Sequence, residues 1–149
     1  MNREYLFRGK TVETHEWIYG GVAIMNGRHF IIKTIIYSVD NSCSWGAYEV
    51  DPETVGQWTG LVDKNKVKVF EGDVFKGEEP GEFEVVVYHN SGFAVNSYGY
   101  YGCMMPYGWD ETAGDFGVVD TYYLDELCID ELEVIANVHD SYEILKGCF

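Results

Sequence analysis

The sequence predicts a mainly β fold, a small barrel or roll built from hairpins with at most short helices. Several stretches alternate apolar and polar residues with a period of two, and glycine-containing turn signals separate them. Only residues 118–132 and 139–147 leave room for a helix, and both are too short for an isolated helix to be stable. Short strands joined by sharp bends are typical of small barrels.

Two turn signals organise the first third of the chain. Asn26 and Gly27 lie between two β-branched and aromatic runs, and this dipeptide readily adopts the positive φ angles of a type I′ turn. We therefore expect a hairpin over residues 24–32. In "DPETVG", Asp51 can cap a helical turn that begins at Pro52 and ends before Gly56.

The stretch "GQWTGLVDKNKVKVFEGDVF" predicts two further strands and a bend. Residues 57–62 and 67–70 form the strands, and the polar residues 63–66 form the reverse turn between them. Gly72, followed by Asp73, allows a tight bend before residues 74–75 re-enter the sheet. Gly72 is expected to serve the backbone and not a ligand.

Three more strands are expected in the second half. Residues 83–88 and 93–96 flank the turn "HNSG", and the run "ELEVIANVHD" contains a strand with one buried face. The residues of that buried face are Leu132, Val134, Ala136 and Val138, and those of the solvent face are Glu133, Ile135 and Asn137.

The length of 149 residues suits one unit, 1–149, or two small β subdomains that meet near residues 76–84. No run reaches the roughly 18 apolar residues of a membrane span, and the start "MNREYLFRGK" lacks the apolar core of a signal peptide. We expect no membrane association and a location in the cytosol of the cell that makes the protein. The four cysteines are too widely spaced for a CxxC motif, and reduced thiols are expected.

The acidic residues are unevenly distributed. The net charge is −15, and the fifteen acidic residues between Gly77 and Leu145 are accompanied by no lysine or arginine. A surface built from this half would repel duplex DNA, because binding to phosphates requires cations. Acidity keeps a protein soluble, and it also attracts a basic partner.

Four segments together resemble the YopX family of phage and prophage proteins. They are "REYLFRGK", "WIYGGV", "VGQWTGLVDKNKVKVFEGDVF" and "LEVIANVHD", and they touch both ends and the middle of the chain. The family pattern tends to have glycine where this chain has Val67 and Ala136. The resemblance implies a β-rich fold with SH3-like barrel character and an origin on mobile elements. It therefore also implies a location in the cytoplasm of a bacterial host. It implies no established activity, so no catalytic residue is carried over.

No motif in the chain points to catalysis, a metal or a cofactor. There is no G-x-S-x-G elbow, phosphate-binding loop or dinucleotide fingerprint, and "DETAGDFGVVD" lacks the ligand spacing of an EF-hand. A zinc site assembled from His89, Cys103 and Cys128 has no local spacing to support it. We expect a protein that is not an enzyme and holds no cofactor.

The run "YGYYGCMMPYGWDE" is the most distinctive candidate site. Its aromatic side chains on a glycine-rich loop could form an interaction surface, since Tyr and Trp are enriched at interface hot spots. Two alternatives are that the rings cover the core of a small barrel, or that they stack on bases. The candidate surface consists of Tyr98, Tyr100, Tyr101, Tyr107, Trp109, Asp110 and Glu111.

These observations favour a phage- or prophage-encoded accessory protein that works as a non-catalytic protein-interaction module. Its partner is an unidentified protein, with a basic protein and a second copy of the chain as the two options. The alternative is a nucleic-acid-associated role, either as an acidic mimic of DNA or as a weak single-strand binder. A mimic requires regular rows of exposed carboxylates, whereas a stacking platform requires basic flanks.

Overall fold

Antiparallel strands dominate the residues that the computed structural model describes, which are 4–36, 43–77, 82–100, 103–105, 108–110, 116–124 and 129–140. The mainly β prediction is confirmed, and the helical segments of these residues are short 3-10 turns. By its contacts the chain divides into two compact units, Met1–Gly60 and Leu61–Phe149. The predicted meeting point near residues 76–84 lies inside the second unit. The organisation of the protein as one domain or two stays a prediction.

The strands of the first unit form an antiparallel sheet. Their order in the sheet is β4-β3-β2-β1-β5, and β5 continues to Val62, just beyond the end of the unit. The strands are β1 (Phe7–Lys10), β2 (Trp17–Met25), β3 (Arg28–Ile36), β4 (Cys43–Val50) and β5 (Gly56–Val62).

The expected hairpin is β2–β3. Met25 pairs with Arg28, and the two turn residues Asn26 and Gly27 have φ angles of 51° and 77°. The ladder between β2 and β3 runs from Met25 to Gly21, and residues 17–20 of β2 pair with β1 on the other edge of the strand. The strand β2 therefore connects two ladders of the first unit.

The predicted helical turn is a 3-10 turn, Pro52–Thr54. The Asp51 carboxylate accepts a hydrogen bond from the Glu53 N–H at 3.0 Å, which caps the turn. The buried Thr54 hydroxyl accepts a hydrogen bond from the Lys10 N–H at 2.8 Å. The turn thus satisfies a backbone group at the end of β1.

The inner face of the first unit is centred on Ile31 and Val50, which are almost fully buried. An isolated bridge joins Thr11 to Val50, and the Val12 N–H donates to the Glu49 carbonyl at 3.1 Å. The end of β4 therefore contacts the segment after β1, but the described strands do not form a closed barrel. The SH3-like detail stays a prediction.

The second unit contains a five-stranded antiparallel sheet with the order β12-β9-β8-β7-β13. Its core cluster consists of Val69, Phe75, Val86, Val95, Leu124 and Ile129. The strands of the unit are β6 (Lys68–Phe70), β7 (Asp73–Lys76), β8 (Phe83–His89), β9 (Gly92–Tyr100), the paired β10 (Cys103–Met105) and β11 (Gly108–Asp110), β12 (Phe116–Tyr123) and β13 (Val134–Asn137).

A buried carboxylate holds the turn at residues 63–66. Asp63 is 1% exposed, and its Oδ1 accepts hydrogen bonds from the N–H groups of Asn65 and Val67 at 2.8 and 2.9 Å. Its Oδ2 accepts a hydrogen bond from the Val134 N–H at 3.1 Å. The turn is therefore attached to the beginning of β13.

A second buried carboxylate follows Gly72, whose φ is +85°, in the left-handed region that the predicted bend requires. The Asp73 carboxylate accepts hydrogen bonds from the Phe70 N–H at 2.7 Å and from the Asn137 side-chain amide at 3.2 Å. The Gly72 N–H donates to the Val86 carbonyl, and the Gly72 carbonyl accepts from the Val138 N–H. The bend thus joins three strands of the unit.

Replacing Gly72 by valine is expected to lower the free energy of unfolding by about 1 to 3 kcal/mol, because a β-branched residue fits a positive φ poorly. Gly72→Asn is the matched control, because asparagine tolerates this region better. The loss should be smaller for asparagine than for valine in chemical denaturation. Equal stabilities of the valine variant and the wild type would contradict the structural role of Gly72.

Three sequence-based expectations are wrong. Residues 118–123, which left room for a helix, belong to β12, because their β-branched and aromatic side chains favour a strand. The aromatic run 98–111 was expected to be a glycine-rich loop without a long regular element, yet it contains the last residues of β9 and the short paired strands β10 and β11. Asn137 was expected on the solvent face, but it is buried because its side-chain amide binds Asp73. Residues 141–147 of the other expected helical stretch, 139–147, lie outside the described residues.

Candidate functional site

A groove of about 570 Å³ lies in the first unit, between the turn that joins β1 to β2 and the strands β3 and β4. None of its lining residues is a histidine, cysteine or serine. The groove is lined by Thr11, Val12, Glu13, Thr14, Glu16, Trp17, Ile18, Lys33, Ala47, Tyr48 and Glu49.

One wall of the groove is the turn at residues 11–16, which local hydrogen bonds hold in place. The Thr11 N–H donates to the Glu16 carbonyl at 3.0 Å, and the His15 N–H donates to the Thr11 carbonyl at 2.9 Å. The hydroxyls of Thr11 and Thr14 lie 2.7 Å apart, and the Thr14 hydroxyl donates to the Glu16 carboxylate at 3.3 Å. The turn presents the exposed side chains of Glu13 and Glu16 at the rim.

Trp17 lies next to this turn and has two cations over its ring. The Arg8 guanidinium carbon is 4.7 Å from the ring centroid, and the Lys10 Nζ is 5.5 Å from it. Such contacts are attractive because the ring face is electron-rich. Trp17 is therefore held from the side of β1 and contributes an aromatic surface to the groove.

The opposite wall is formed by β3 and β4. A Cβ at Gly46 would lie 2.9 Å from a ring carbon of Tyr48, so the absence of a side chain lets this ring lie across the strand. Tyr48 is 38% exposed. Lys33, which pairs with Gly46 across the ladder, brings an exposed ammonium group to this wall. The wall thus combines an aromatic ring, a cation and the backbone of β4.

One carboxylate of the groove is already neutralised. Arg28 donates from Nε to the Glu49 carboxylate at 2.7 Å and forms a second contact with it through a terminal nitrogen. These bonds lower the pKa of Glu49 and raise the pKa of Arg28. The Arg28 guanidinium also lies 5.3 Å from the Phe30 ring centroid. Glu13 and Glu16 are therefore the carboxylates that can attract a cationic ligand.

The residues of the predicted aromatic surface lie elsewhere, in the second unit. Tyr98 lies in β9 and stacks on Phe83, with ring centroids 5.1 Å apart and a 10° interplanar angle. Tyr98 also packs against the core cluster of Val74, Phe83 and Val85. Tyr100 ends β9, whereas Trp109 and Asp110 are in β11; Tyr101, Tyr107 and Glu111 lie outside the described residues. An interaction surface formed by this set stays a prediction.

The zinc alternative receives no geometric support. His89 Nε2 lies 2.7 Å from the side-chain amide nitrogen of its neighbour Asn90. Within the described ranges, no group of three His, Cys, Asp or Glu side chains could hold a metal ion. Cys103 lies in β10, and Cys128 is outside these ranges. The expectation of no structural metal stays a prediction.

The groove was missed from the sequence because its residues come from distant parts of the chain. The nearest signal is the polar segment "TVETHEW", in which hydroxyls and carboxylates alternate immediately before a tryptophan. That segment alone reads as a solvated turn. Only the pairing of β4 with β3, and the bridge from Thr11 to Val50, brings Tyr48 and Lys33 to the same groove.

Comparisons with known proteins agree with the resemblance seen in the sequence. The family model described as "YopX protein" matches residues 6–146, nearly the whole length of this chain. A search of curated proteins gave no match. In the described residues, no helix combines the length and the apolar character that a membrane crossing requires.

Proposed function

Since the chain belongs to the YopX family, we propose that it is a phage- or prophage-encoded accessory protein that binds another protein and does not catalyse a reaction. The observation that supports this best is the groove of the first unit. Its lining combines the aromatic side chains of Trp17 and Tyr48 with the charged side chains of Glu13, Glu16 and Lys33. Aromatic surface next to charged groups is common in protein-binding sites.

The lining residues support binding over catalysis. The hydroxyls of Thr11 and Thr14 bond to each other, and the Thr14 hydroxyl donates to the Glu16 carboxylate at 3.3 Å. An activated hydroxyl nucleophile is paired with a base that a third group orients, and no histidine lines the groove to fill this role. Thr14 and Glu16 are both exposed, so their contact is typical of a solvated turn, and the lining favours the orientation of a ligand over nucleophilic catalysis.

The charge of the whole chain favours a basic partner. Residues 1–60 contain five Lys or Arg and seven Asp or Glu, whereas residues 61–149 contain five and eighteen. Long-range attraction to the acidic chain speeds the approach of a cationic protein. Glu13 and Glu16 can then select a basic side chain at short range.

Partner capture tests this proposal. Immobilised wild-type protein is incubated with bacterial lysate, and recovered proteins are quantified by mass spectrometry. Tyr48→Ala should reduce recovery of a specific partner by about fivefold or more, since aromatic residues dominate interface energies. Tyr88→Ala is the control, because Tyr88 is 57% exposed but belongs to the second unit.

A salt series distinguishes a charged rim from a purely apolar contact. Binding of the recovered partner should weaken between about 0.05 and 0.5 M salt through a slower on-rate. The double variant Glu13→Gln/Glu16→Gln should bind with a smaller salt dependence than the wild type. Partner binding that is indifferent to Tyr48→Ala and to both glutamates would reject the groove as the binding site.

A second candidate function is an acidic mimic of DNA, and the excess of acids in residues 61–149 favours it. Such a mimic would occupy a DNA-binding protein of the host. It should displace labelled duplex DNA from a bacterial nucleoid-associated protein, and Tyr48→Ala should leave this competition unchanged. The protein itself should not shift duplex DNA at physiological salt, because net repulsion opposes phosphate binding.

A further inference from the structure

We propose that the groove receives an extended segment of a basic protein partner, which pairs as an additional β-strand with the outer edge of β4. This inference rests on the proposed function, since it assigns the kind of ligand and the mode of recognition to the same groove. Three features carry it: the direction of the backbone groups of β4, the point at which its outer ladder stops, and the charge at the opposite rim.

The backbone groups of alternate β4 residues point away from β3. A two-residue hairpin turn makes Met25 and Arg28 a hydrogen-bonded pair, and such pairs recur at every second residue. Gly21–Ile32 is then a hydrogen-bonded pair of the β2–β3 ladder, and Lys33–Gly46 is one of the β3–β4 ladder. The outward N–H and C=O groups of β4 therefore belong to Trp45, Ala47 and Glu49.

The contact at Glu49 agrees with this assignment and shows where the outer ladder stops. The Glu49 carbonyl accepts from the Val12 N–H, next to the Thr11–Val50 bridge. After Val12 the chain leaves β4 in the turn at residues 11–16. Within the described ranges, no other strand pairs with the outer side of β4 at Ala47 and Trp45. The groove opens at this position, with Val12 and Ala47 among its lining residues.

Within the residues that the structure describes, the edge of β4 shows none of the usual features that prevent strand addition. Exposed edges in soluble proteins are often protected by lysine, proline or a bulge, and β4 contains no lysine or proline and pairs with β3 without a register shift. Ala47 is exposed, and Trp45 is 72% exposed. An extended peptide can hydrogen-bond to such an edge while alternate side chains contact the flanking surface.

The opposite rim sets the charge of the peptide. Glu13 and Glu16 are exposed carboxylates, whereas Glu49 is neutralised by Arg28. A lysine or arginine of the added strand would be attracted by the carboxylates of Glu13 and Glu16, and its alkyl stem would contact Tyr48 or Trp17. Lys33 on the β3 wall opposes this attraction, but the lining then has two carboxylates without an arginine partner, Glu13 and Glu16, against one cation. A basic extended segment therefore complements the backbone of β4 and the net charge of the groove.

A defined peptide tests strand addition directly. The probe is fluorescein-labelled acetyl-Lys-Val-Lys-Val-Lys-Val-Lys-amide, measured by fluorescence anisotropy against the full chain. Two N-methylated versions block either the lysine or the valine amides. An added strand donates through alternate amides only, so the version that blocks these amides should bind at least about tenfold more weakly, because it loses more than one backbone hydrogen bond, and the other should bind nearly normally. Equal binding by both versions, or no binding of the parent peptide, would overturn the proposal.

Two other ligands test whether the groove selects a basic peptide. The acidic peptide in which glutamate replaces lysine, and a single-stranded oligo-dT of twelve nucleotides, should both bind at least about tenfold more weakly than the basic peptide. Comparable binding of either would overturn the proposal. Analytical ultracentrifugation tests whether a second copy of the chain occupies the edge. A dimer that dissociates on the substitution Ala47→Pro would show this occupant and would overturn the proposal.

A substitution on β4 locates the contact. Ala47→Pro removes an outward N–H but no bond to β3, and proline is tolerated at such edge positions. It should weaken the basic peptide about tenfold, whereas Ala47→Val should change affinity little, provided that both variants melt as the wild type does. Peptide binding should also slow amide exchange at Trp45 and Ala47 but leave Gly46 unchanged. If the proline variant unfolds, amide exchange of the wild type with and without the peptide still shows whether the peptide pairs with β4.

The outcomes separate this inference from the proposed function. If Tyr48→Ala reduces partner recovery but the two N-methylated peptides behave alike, the groove binds proteins in another way and only strand addition is rejected. If Tyr48→Ala leaves recovery unchanged while one N-methylated peptide alone loses affinity, the edge accepts strands but the groove is not the partner site. Each failure therefore has its own signature.

Discussion

Replacing Gly20 by alanine is expected to lower the free energy of unfolding by about 2 to 3 kcal/mol. An added Cβ would lie 2.1 Å from the carbonyl oxygen of Ile32 and 3.1 Å from a methyl carbon of Ile31. A flexible side chain could move aside, but the nearest atom belongs to the backbone of β3. Accommodating alanine would therefore require the two strands to separate where β2 leaves the β3 ladder.

Gly21→Ala is the matched control for this prediction. An added Cβ at Gly21 would have no heavy atom within 4 Å, and Gly21 is exposed in the same strand. Its free energy of unfolding should stay within about 0.5 kcal/mol of the wild type, or rise, because alanine restricts the unfolded chain. Urea denaturation of the three proteins measures the difference. Equal stabilities of the two alanine variants would contradict a close approach of β2 and β3 at Gly20.

Asp63→Asn is expected to cost about 2 to 3 kcal/mol of folding stability at neutral pH. Asparagine retains one oxygen, which can still accept from Asn65 and Val67, but its amide nitrogen would face the Val134 N–H. Two donors would then meet at a position that is 1% exposed. The substitution also removes the charge that strengthens the remaining hydrogen bonds.

Asp51→Asn is the control, because both aspartates cap a turn but Asp51 accepts a single N–H at the exposed 3-10 turn. Asparagine caps about as well as aspartate, so its cost should be below about 0.5 kcal/mol. Denaturant unfolding of both variants at pH 7 tests the difference. A change for Asp63→Asn as small as that for Asp51→Asn would show that the buried carboxylate is not needed.

The folding stability that Asp63→Asn removes should become smaller as the pH falls. Burial raises the pKa of its carboxyl, but hydrogen bonds from Val67, Val134 and Asn65, with a smaller effect of Lys64, outweigh burial and lower it. A lowered pKa in the folded state stabilises the protein above the unfolded value of about 3.9, and this contribution disappears as the pH falls through the folded value. The stability difference between wild type and Asp63→Asn should therefore shrink between pH 6 and about pH 2.

Local signals in the sequence were sufficient for much of the strand pattern. Asn26 and Gly27 impose their own turn geometry, Asp51 and Pro52 start a helical turn, and the polar residues 63–66 interrupt two apolar runs. Each of these depends on residues that are close in the chain. The opposite is true of Asn137, whose burial depends on a hydrogen bond to Asp73, 64 positions away.

The candidate site was not predictable in the same way. Pattern reasoning favoured the aromatic run near Trp109, since composition makes such a run conspicuous. The groove contains only two of the aromatic residues of the chain, and its walls meet because β4 pairs with β3 and bridges to Thr11. A site defined by strand register leaves little trace in composition, because the residues that matter are ordinary ones such as Ala47 and Gly46.

The hydrogen bond from Val134 to Asp63 spans 71 positions, which has a consequence for synthesis on the ribosome. At about 5 to 20 residues per second, roughly 4 to 14 s pass between the translation of the two residues. During this interval Asp63 can accept the N–H groups of Asn65 and Val67, but its second oxygen is hydrated. The nascent second unit therefore remains incomplete until its last described strand has emerged, whereas the β2–β3 hairpin needs only its own residues.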